Sequence, residues 1–263
     1  MSNRNRLSER LLHIAHMVQA CDTLADVGCD HGYLAITLVK EARVRRAIAT
    51  DINAGPLLRA QEHIAFEKLG DYIETRRSDG FARIAPGEAD AAVIAGLGGN
   101  LMIDLLSRGR AVVRGLGQMV LGPQSELSAV RAFLRDEDYR VWDEDLVLED
   151  GKFYPLLCVK PQEPSDTADF ARESGLPAGL LDAYGHRLLA ARHPMLRLFL
   201  EREYGQCVHI DQELARGGDG SERIAARREA LRAQMEQNRA AAAFLGADKG
   251  RADLTKIVSR RDE

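Results

Sequence analysis

The 263-residue chain carries 36 Lys and Arg against 40 Asp and Glu, with 45% apolar and 29% charged residues. That is an ordinary globular composition, with length for one large domain or two. It excludes a strongly basic nucleic-acid binder, a membrane span of ~18 consecutive apolar residues, and a disulfide or zinc framework, because the four cysteines are scattered without a CxxC pair. The polar N-terminus lacks the apolar core of a signal peptide, so a cytoplasmic protein without a metal is expected. Arginine makes up 30 of the 36 basic residues, which alone neither supports nor excludes a nucleic-acid partner.

The first predicted element is a helix over Leu7–Val18, with Leu7, Leu11, Ile14, Ala15 and Val18 along one face. The texture then changes. TLADVGC reads as a strand ending in a glycine turn, and YLAITLVKEA as the helix after it. RRAIATD is a second strand, followed by a helix closed by Gly70. YIETRRSDG and DAAVIAGLGG are the third and fourth strands, NLMIDLLSRGRAVV a helix, QMVLGPQ the fifth strand, and ELSAVRAFLRDED its helix. Two more strands meet at Asp150-Gly151, a hairpin signal. Alternating strands and helices imply a doubly wound α/β unit with a mostly parallel sheet. Its expected extent is residues 1–160.

A polar, Pro-containing linker is expected at 161–178. Beyond it, residues 179–263 read as a helical domain. Leu196, Leu200, Cys207, Ile210 and Leu214 fall at helical spacing. Gly217–Gly220 interrupts, Ser221 is placed as an N-cap, and Ile224, Leu231, Asn238 and Leu245 recur every seven residues. The pattern predicts an antiparallel helical hairpin packed like a coiled coil.

Ligands of open α/β sheets sit beyond the carboxyl ends of the strands, at the switch point. The first strand ends Asp26-Val27-Gly28-Cys29-Asp30-His31-Gly32-Tyr33. A dinucleotide site needs glycines where this loop has Asp30 and Tyr33, and a carboxylate repels a pyrophosphate. An acidic, glycine-containing loop suits S-adenosylmethionine instead, a ligand with a sulfonium cation and an amino-acid end. Asp51, ending the second strand 25 residues after Asp26, suits the ribose hydroxyls. Asp79-Gly80, after the third strand, suits the adenine ring. Three acids in order at three strand ends identify a cofactor class and leave the reaction open.

The fourth strand ends Ala95-Gly96-Leu97-Gly98-Gly99. It lacks the Asn/Asp-Pro-Pro segment that orients exocyclic amines, and no cysteine follows the fourth or fifth strand to attack a pyrimidine. A glycine floor leaves room for a flat ring. A ring nitrogen with a free lone pair needs alignment more than a base. Gly98 is therefore expected on the acceptor's approach path.

These residues carry a resemblance. LSERL at Leu7–Leu11, LADVGCDHGYLAI at Leu24–Ile36, SDG at Ser78–Gly80, AGLGG at Ala95–Gly99, VLGPQ at Val120–Gln124, EDLVLEDGKFY at Glu144–Tyr154 and YGHRLLAARHP at Tyr184–Pro194 are similar to the bacterial tRNA (adenine-22-N1)-methyltransferases, the TrmK family. The chain departs from that family's usual residues at Cys29, Gly32, Leu97 and the Gly122-Pro123-Gln124 turn. The resemblance implies a Rossmann-like class I methyltransferase fold, S-adenosylmethionine as cofactor, and N1 methylation of an adenine in the D-arm region of tRNA, with the helical lobe helping to hold the RNA. It implies cofactor contacts from Asp26, Gly28, Asp30, His31, Gly32, Asp51, Asp79, Gly80, Ala95 and Gly96. Arg10, His31, Tyr33, Gly98, Pro123 and Gln124 are implied on the acceptor side. Asp30 and Gly98 are the candidates for orienting or balancing the reacting groups. The alternatives are a methyltransferase with another acceptor (ribosomal RNA, protein or small molecule), a catalytically inactive binding module, and, disfavoured by Asp30, a nicotinamide oxidoreductase.

Overall fold

The computed structural model describes residues 7–216 and 221–246. The chain divides into two units, Met1–Asp169 and Phe170–Glu263. In the first, Ser8 caps helix α1 (Glu9–Met17), its hydroxyl accepting from the Leu11 amide at 3.4 Å. The chain then alternates β1 (Cys21–Val27), α2 (Tyr33–Lys40), β2 (Val44–Asp51), α3 (Ala54–Phe66), β3 (Ile73–Arg77) and β4 (Ala91–Ala95). Helices α4 (Gly99–Arg108) and α5 (Arg110–Val113), β5 (Gln118–Gly122), α6 (Leu127–Asp136), β6 (Arg140–Glu149) and β7 (Lys152–Lys160) complete it.

The seven strands form one sheet in the order β3-β2-β1-β4-β5-β7-β6. All pairs among the first five are parallel, and β7 runs antiparallel between β5 and β6. Both faces are covered, which is why the central strands read as continuous apolar runs rather than alternating ones. Side chains still divide with period two. Ile94, Met119, Leu121 and Leu157 enter one core with Met102, Leu106 and Leu134. Leu24, Val93, Val120 and Leu156 enter the other with Ile14 and Leu38. Asp150 and Gly151 have φ of 48° and 77°, the paired positive values of a tight hairpin turn. On the outer strand, Arg131 of α6 and Glu144 of β6 form a buried ion pair at 2.8 Å.

Two helix boundaries differ from expectation. The helix read through 100–113 breaks at Gly109, where a Cβ would lie 2.5 Å from the Phe81 ring. Helix α3 ends at Phe66 and is closed by Lys68 at φ 59°, with the Leu69 amide returning to the Ile64 carbonyl at 3.0 Å, so Gly70 is not its stop.

In the second unit, α8 (Ala178–Tyr184), α9 (His186–Ala190), α10 (Pro194–Arg216) and α11 (Glu222–Gly246) follow one another. Helix α7 (Thr167–Ser174) occupies part of the stretch expected to be a linker. Helices α10 and α11 pack antiparallel: Asn238 donates to the Leu200 carbonyl and to Glu203, both at 2.9 Å, while Arg228 meets Asp211 at 2.8 Å further along. Leu231, Asn238 and Leu245 are buried and Ile224 partly so. On the facing helix Leu196, Leu200 and Cys207 are buried, but Ile210 is exposed. Ser221 accepts from the Ile224 amide at 3.4 Å, as an N-cap does. The Gly217–Gly220 break lies outside the described residues. Among the described residues no helix is long and apolar enough to cross a membrane, and no group of three His, Cys, Asp or Glu is placed to hold a metal ion.

Candidate functional site

The order of strands reverses between β1 and β4, and a cavity of about 520 Å³ opens at their carboxyl ends. Its first wall is the loop after β1. Gly28 turns out of the strand at φ 80°, and the amides of Gly28 and Cys29 both donate to the Thr50 carbonyl at 2.9 Å, tying the loop to β2. Asp30, at φ 50°, and Gly32, at φ 72°, complete the reversal into α2. A Cβ at Gly32 would lie 3.1 Å from that of Ala60. Glycine there lets α3 approach, and Gly32 itself does not line the cavity.

Three acids stand at successive strand ends, each in a different state. Asp26 is buried, and its Oδ2 has no hydrogen-bond partner. Burial, reinforced by the nearby Asp51 charge, pushes its carboxyl up to about 7 against the bond it accepts from the Ala35 amide. Asp51 folds back so that Oδ1 accepts from the Asn53 amide at 2.8 Å. Asp79 is held by Arg108 at 2.8 Å, which keeps its carboxyl below the usual carboxylate range. Beside it, Gly80 at φ 57° would bring a Cβ within 2.6 Å of Leu105. The apolar side chains of Ile52 (55% exposed), just past β2, and Leu101 (48%), on α4, reach the cavity. Neither has a signal in the sequence, because each sits one or two residues past a readable motif.

The opposite wall is made by the ends of β4 and β5 and by α1. Gly96 sits at φ 83°, and a Cβ there would meet only Arg10 Nη1 and Gln124 Nε2, each at 3.9 Å. The Gln124 amide donates to the Leu97 carbonyl at 2.9 Å. Arg10 is fixed by its own amide, which donates to Glu149 at 3.0 Å, and by its guanidinium 4.9 Å above the Tyr154 ring. Its Nε and Nη1 are buried without partners. Cys29 also lines the cavity, but burial pushes its thiol well up, so it is not a poised nucleophile.

The cavity therefore gathers Arg10, Asp26, Gly28, Asp30, His31, Tyr33, Asp51, Asp79, Gly80, Ala95, Gly96 and Gln124. Gly32, Gly98 and Pro123 lie outside it. Gly98 was expected on the acceptor's path; instead, a Cβ there would lie 3.0 Å from the Ser125 hydroxyl, and one at Gly99 would lie 2.5 Å from the Ser125 carbonyl. These two glycines let α4 start against the turn that begins α6. Pro123 is buried. The arrangement suits a ligand that donates hydrogen bonds and carries positive charge on the acid wall, and a flat group meeting unpaired donors on the other.

A methyltransferase-domain family model matches residues 7–157. The tRNA (adenine(22)-N(1))-methyltransferase of Bacillus subtilis is 36% identical over 158 residues, which are 60% of this chain and 66% of that protein. A putative tRNA methyltransferase of Mycoplasma pneumoniae is 33% identical over 157 residues, 58% of this chain and 71% of the relative. The crystal structure of the B. subtilis m1A22 tRNA methyltransferase TrmK is similar with a TM-score of 0.79 at 27% identity, covering 90% of this chain and 99% of that one.

Proposed function

The chain belongs to the methyltransferase-domain family and, within it, to the TrmK group, and from that premise we propose that it methylates N1 of adenine 22 in tRNA with S-adenosylmethionine. The observation that carries the reading is the division of one cavity into an acid wall and a glycine-floored wall with unpaired donors. The family supplies the acceptor's identity.

The acid wall fits the cofactor. Asp26 keeps an unpartnered carboxylate oxygen in a buried position, where a cationic amino-acid end compensates its charge. The Asp51 oxygen not taken by Asn53 is available to ribose hydroxyls, and Asp79, Gly80 and Ala95 border the place of the adenine. Gly28, Asp30, His31 and Gly96 complete the lining. Bound there, S-adenosylmethionine supplies an electrophilic methyl group.

On the other wall, Gly96 leaves the space that an incoming purine ring occupies. Arg10 and Gln124 offer donors to a phosphate or to the base edge, and Tyr33 borders the entrance. Adenine N1 has its lone pair free at neutral pH, so no side chain has to remove a proton before transfer. The work of the residues is alignment and exclusion of water. Gly98 and Pro123 serve by holding the Gly96–Gln124 wall in shape. The exposed Arg197, Arg223, Arg227 and Arg232 of the helical unit supply phosphate contacts in this reading.

The test is to incubate unmodified tRNA with the protein and S-adenosylmethionine and to identify the methylated nucleoside by mass spectrometry. The expected product is 1-methyladenosine. A methyl group on N6, on a pyrimidine carbon or on protein would overturn the proposal.

A further inference from the structure

His63 has no place in the motifs above, yet it lies against two residues of the cavity wall. Its Nδ1 is 3.0 Å from the His31 carbonyl oxygen, and its Nε2 is 3.3 Å from the Tyr33 hydroxyl. A carbonyl oxygen only accepts, so Nδ1 carries the proton. In the neutral ring Nε2 is then the lone-pair nitrogen, and the Tyr33 hydroxyl donates to it. The oxygen of Tyr33 has spent its proton and keeps only lone pairs for any other partner.

The rings reinforce this. Tyr33 and His63 stack with centroids 4.7 Å apart at 20°, and His31 lies 5.7 Å from Tyr33 and 5.8 Å from His63. A sandwich would place the two imidazoles at nearly the sum of their separate spacings from Tyr33, far more than 5.8 Å, so they do not enclose the phenol from both sides. His63 holds Tyr33 by one face and by its hydroxyl, from a position on α3 fixed by the buried neighbours Ala60 and Ile64.

We propose that His63 is a positioning residue that makes the Tyr33 hydroxyl an obligate hydrogen-bond acceptor at the cavity, and that this acceptor reads the exocyclic amino group beside the N1 to be methylated. The inference rests on the acceptor reading given above. An amino group at C6 donates to such an oxygen; a purine without it leaves the oxygen unpaired, and a C6 carbonyl opposes it. Selection for adenine then comes from hydroxyl polarity, set by a residue that never touches the base.

The test compares transfer to two synthetic tRNAs that differ at the acceptor: adenosine, or purine riboside, which keeps the N1 lone pair and lacks the amino group. The kcat/KM ratio between them is measured for the wild type, Tyr33→Phe and His63→Leu, so that intrinsic N1 reactivity cancels between proteins. The ratio should fall about two- to tenfold in both variants, the loss of one hydrogen bond, and no further in the double variant. S-adenosylmethionine affinity should stay within about twofold of wild type in Tyr33→Phe. An unchanged ratio in Tyr33→Phe, or a fall there that His63→Leu does not reproduce while it still transfers methyl to adenosine, overturns the proposal and leaves the methyltransferase reading standing. No methylation of the adenosine tRNA by the wild type overturns both.

Discussion

The two walls of the cavity are built on opposite principles. On the acid wall, function sits in side chains whose position follows directly from the strand they end. On the other wall, Gly96 contributes by being empty, Gly98 and Gly99 by letting a neighbouring turn approach, and Arg10 arrives from α1, far away in the chain. In the proposed reading the first wall binds by charge and hydrogen bonds. The second is a shape, and it depends on how α4, the β5–α6 turn and α1 pack.

The sharpest way to separate the two is to add atoms to the shaped wall. Gly99→Val places carbon against the Ser125 carbonyl and the Val130 side chain, where even a Cβ would stand at 2.5 and 2.9 Å. Such overpacking should cost about 3 kcal/mol of stability, read as a large drop in the chemical-denaturation midpoint. Gly28→Ala on the acid wall meets nothing within 4 Å and should lose only about 1 kcal/mol, from its left-handed φ. Equal losses would show that the glycines of the two walls are not doing different jobs.

Removing charge from the acid wall should act on ligand rather than on fold. Asp51→Ala deletes the acceptor proposed for the ribose hydroxyls, and at about 1.5–3 kcal/mol for bonds to a charged group the cofactor Kd should rise tenfold or more. Calorimetry showing unchanged affinity would remove Asp51 from the site.

A smaller effect should appear with pH. Asp26 is pushed up to about 7 by burial, above the 3.8 of a free carboxyl, so the ligand-free folded protein holds a proton that the unfolded chain releases. Stability should therefore decline as pH rises from about 4 towards 7. Binding of a cation needs the ionised form, so cofactor affinity should run the other way, weakening by up to about tenfold between pH 8 and pH 6. Asp26→Asn should flatten both profiles. A wild-type affinity independent of pH over that range would contradict the assigned role of Asp26.

The same contrast explains what the sequence made legible. A strand ending in an acid can be read locally, so alternation and order alone put Asp26, Asp51 and Asp79 at the carboxyl ends of the strands and predict the parallel sheet with its Asp150-Gly151 hairpin. Gly98 reads as lying on the acceptor's path because a glycine motif tells where side chains are missing and not which neighbour requires the space; that neighbour, Ser125, is 27 residues further on. Gly32 is the same case, with Ala60 as the reason. Lys68 closing α3 in place of Gly70, and the break at Gly109, are decided by packing that no local pattern carries. His63 sits mid-helix without a motif, and only the folding of α3 against the loop after β1 reveals its two partners.

If one cavity holds two separable sites, a crossed measurement separates them: cofactor Kd by calorimetry and the rate of methyl transfer to tRNA at saturating cofactor, in Asp51→Ala and in Gln124→Ala. Asp51→Ala should lose cofactor affinity and recover most of its transfer rate when cofactor saturates, whereas Gln124→Ala should bind cofactor as the wild type does and transfer several-fold more slowly. If both variants lose affinity and saturated rate together, the two walls form a single site, contrary to this division.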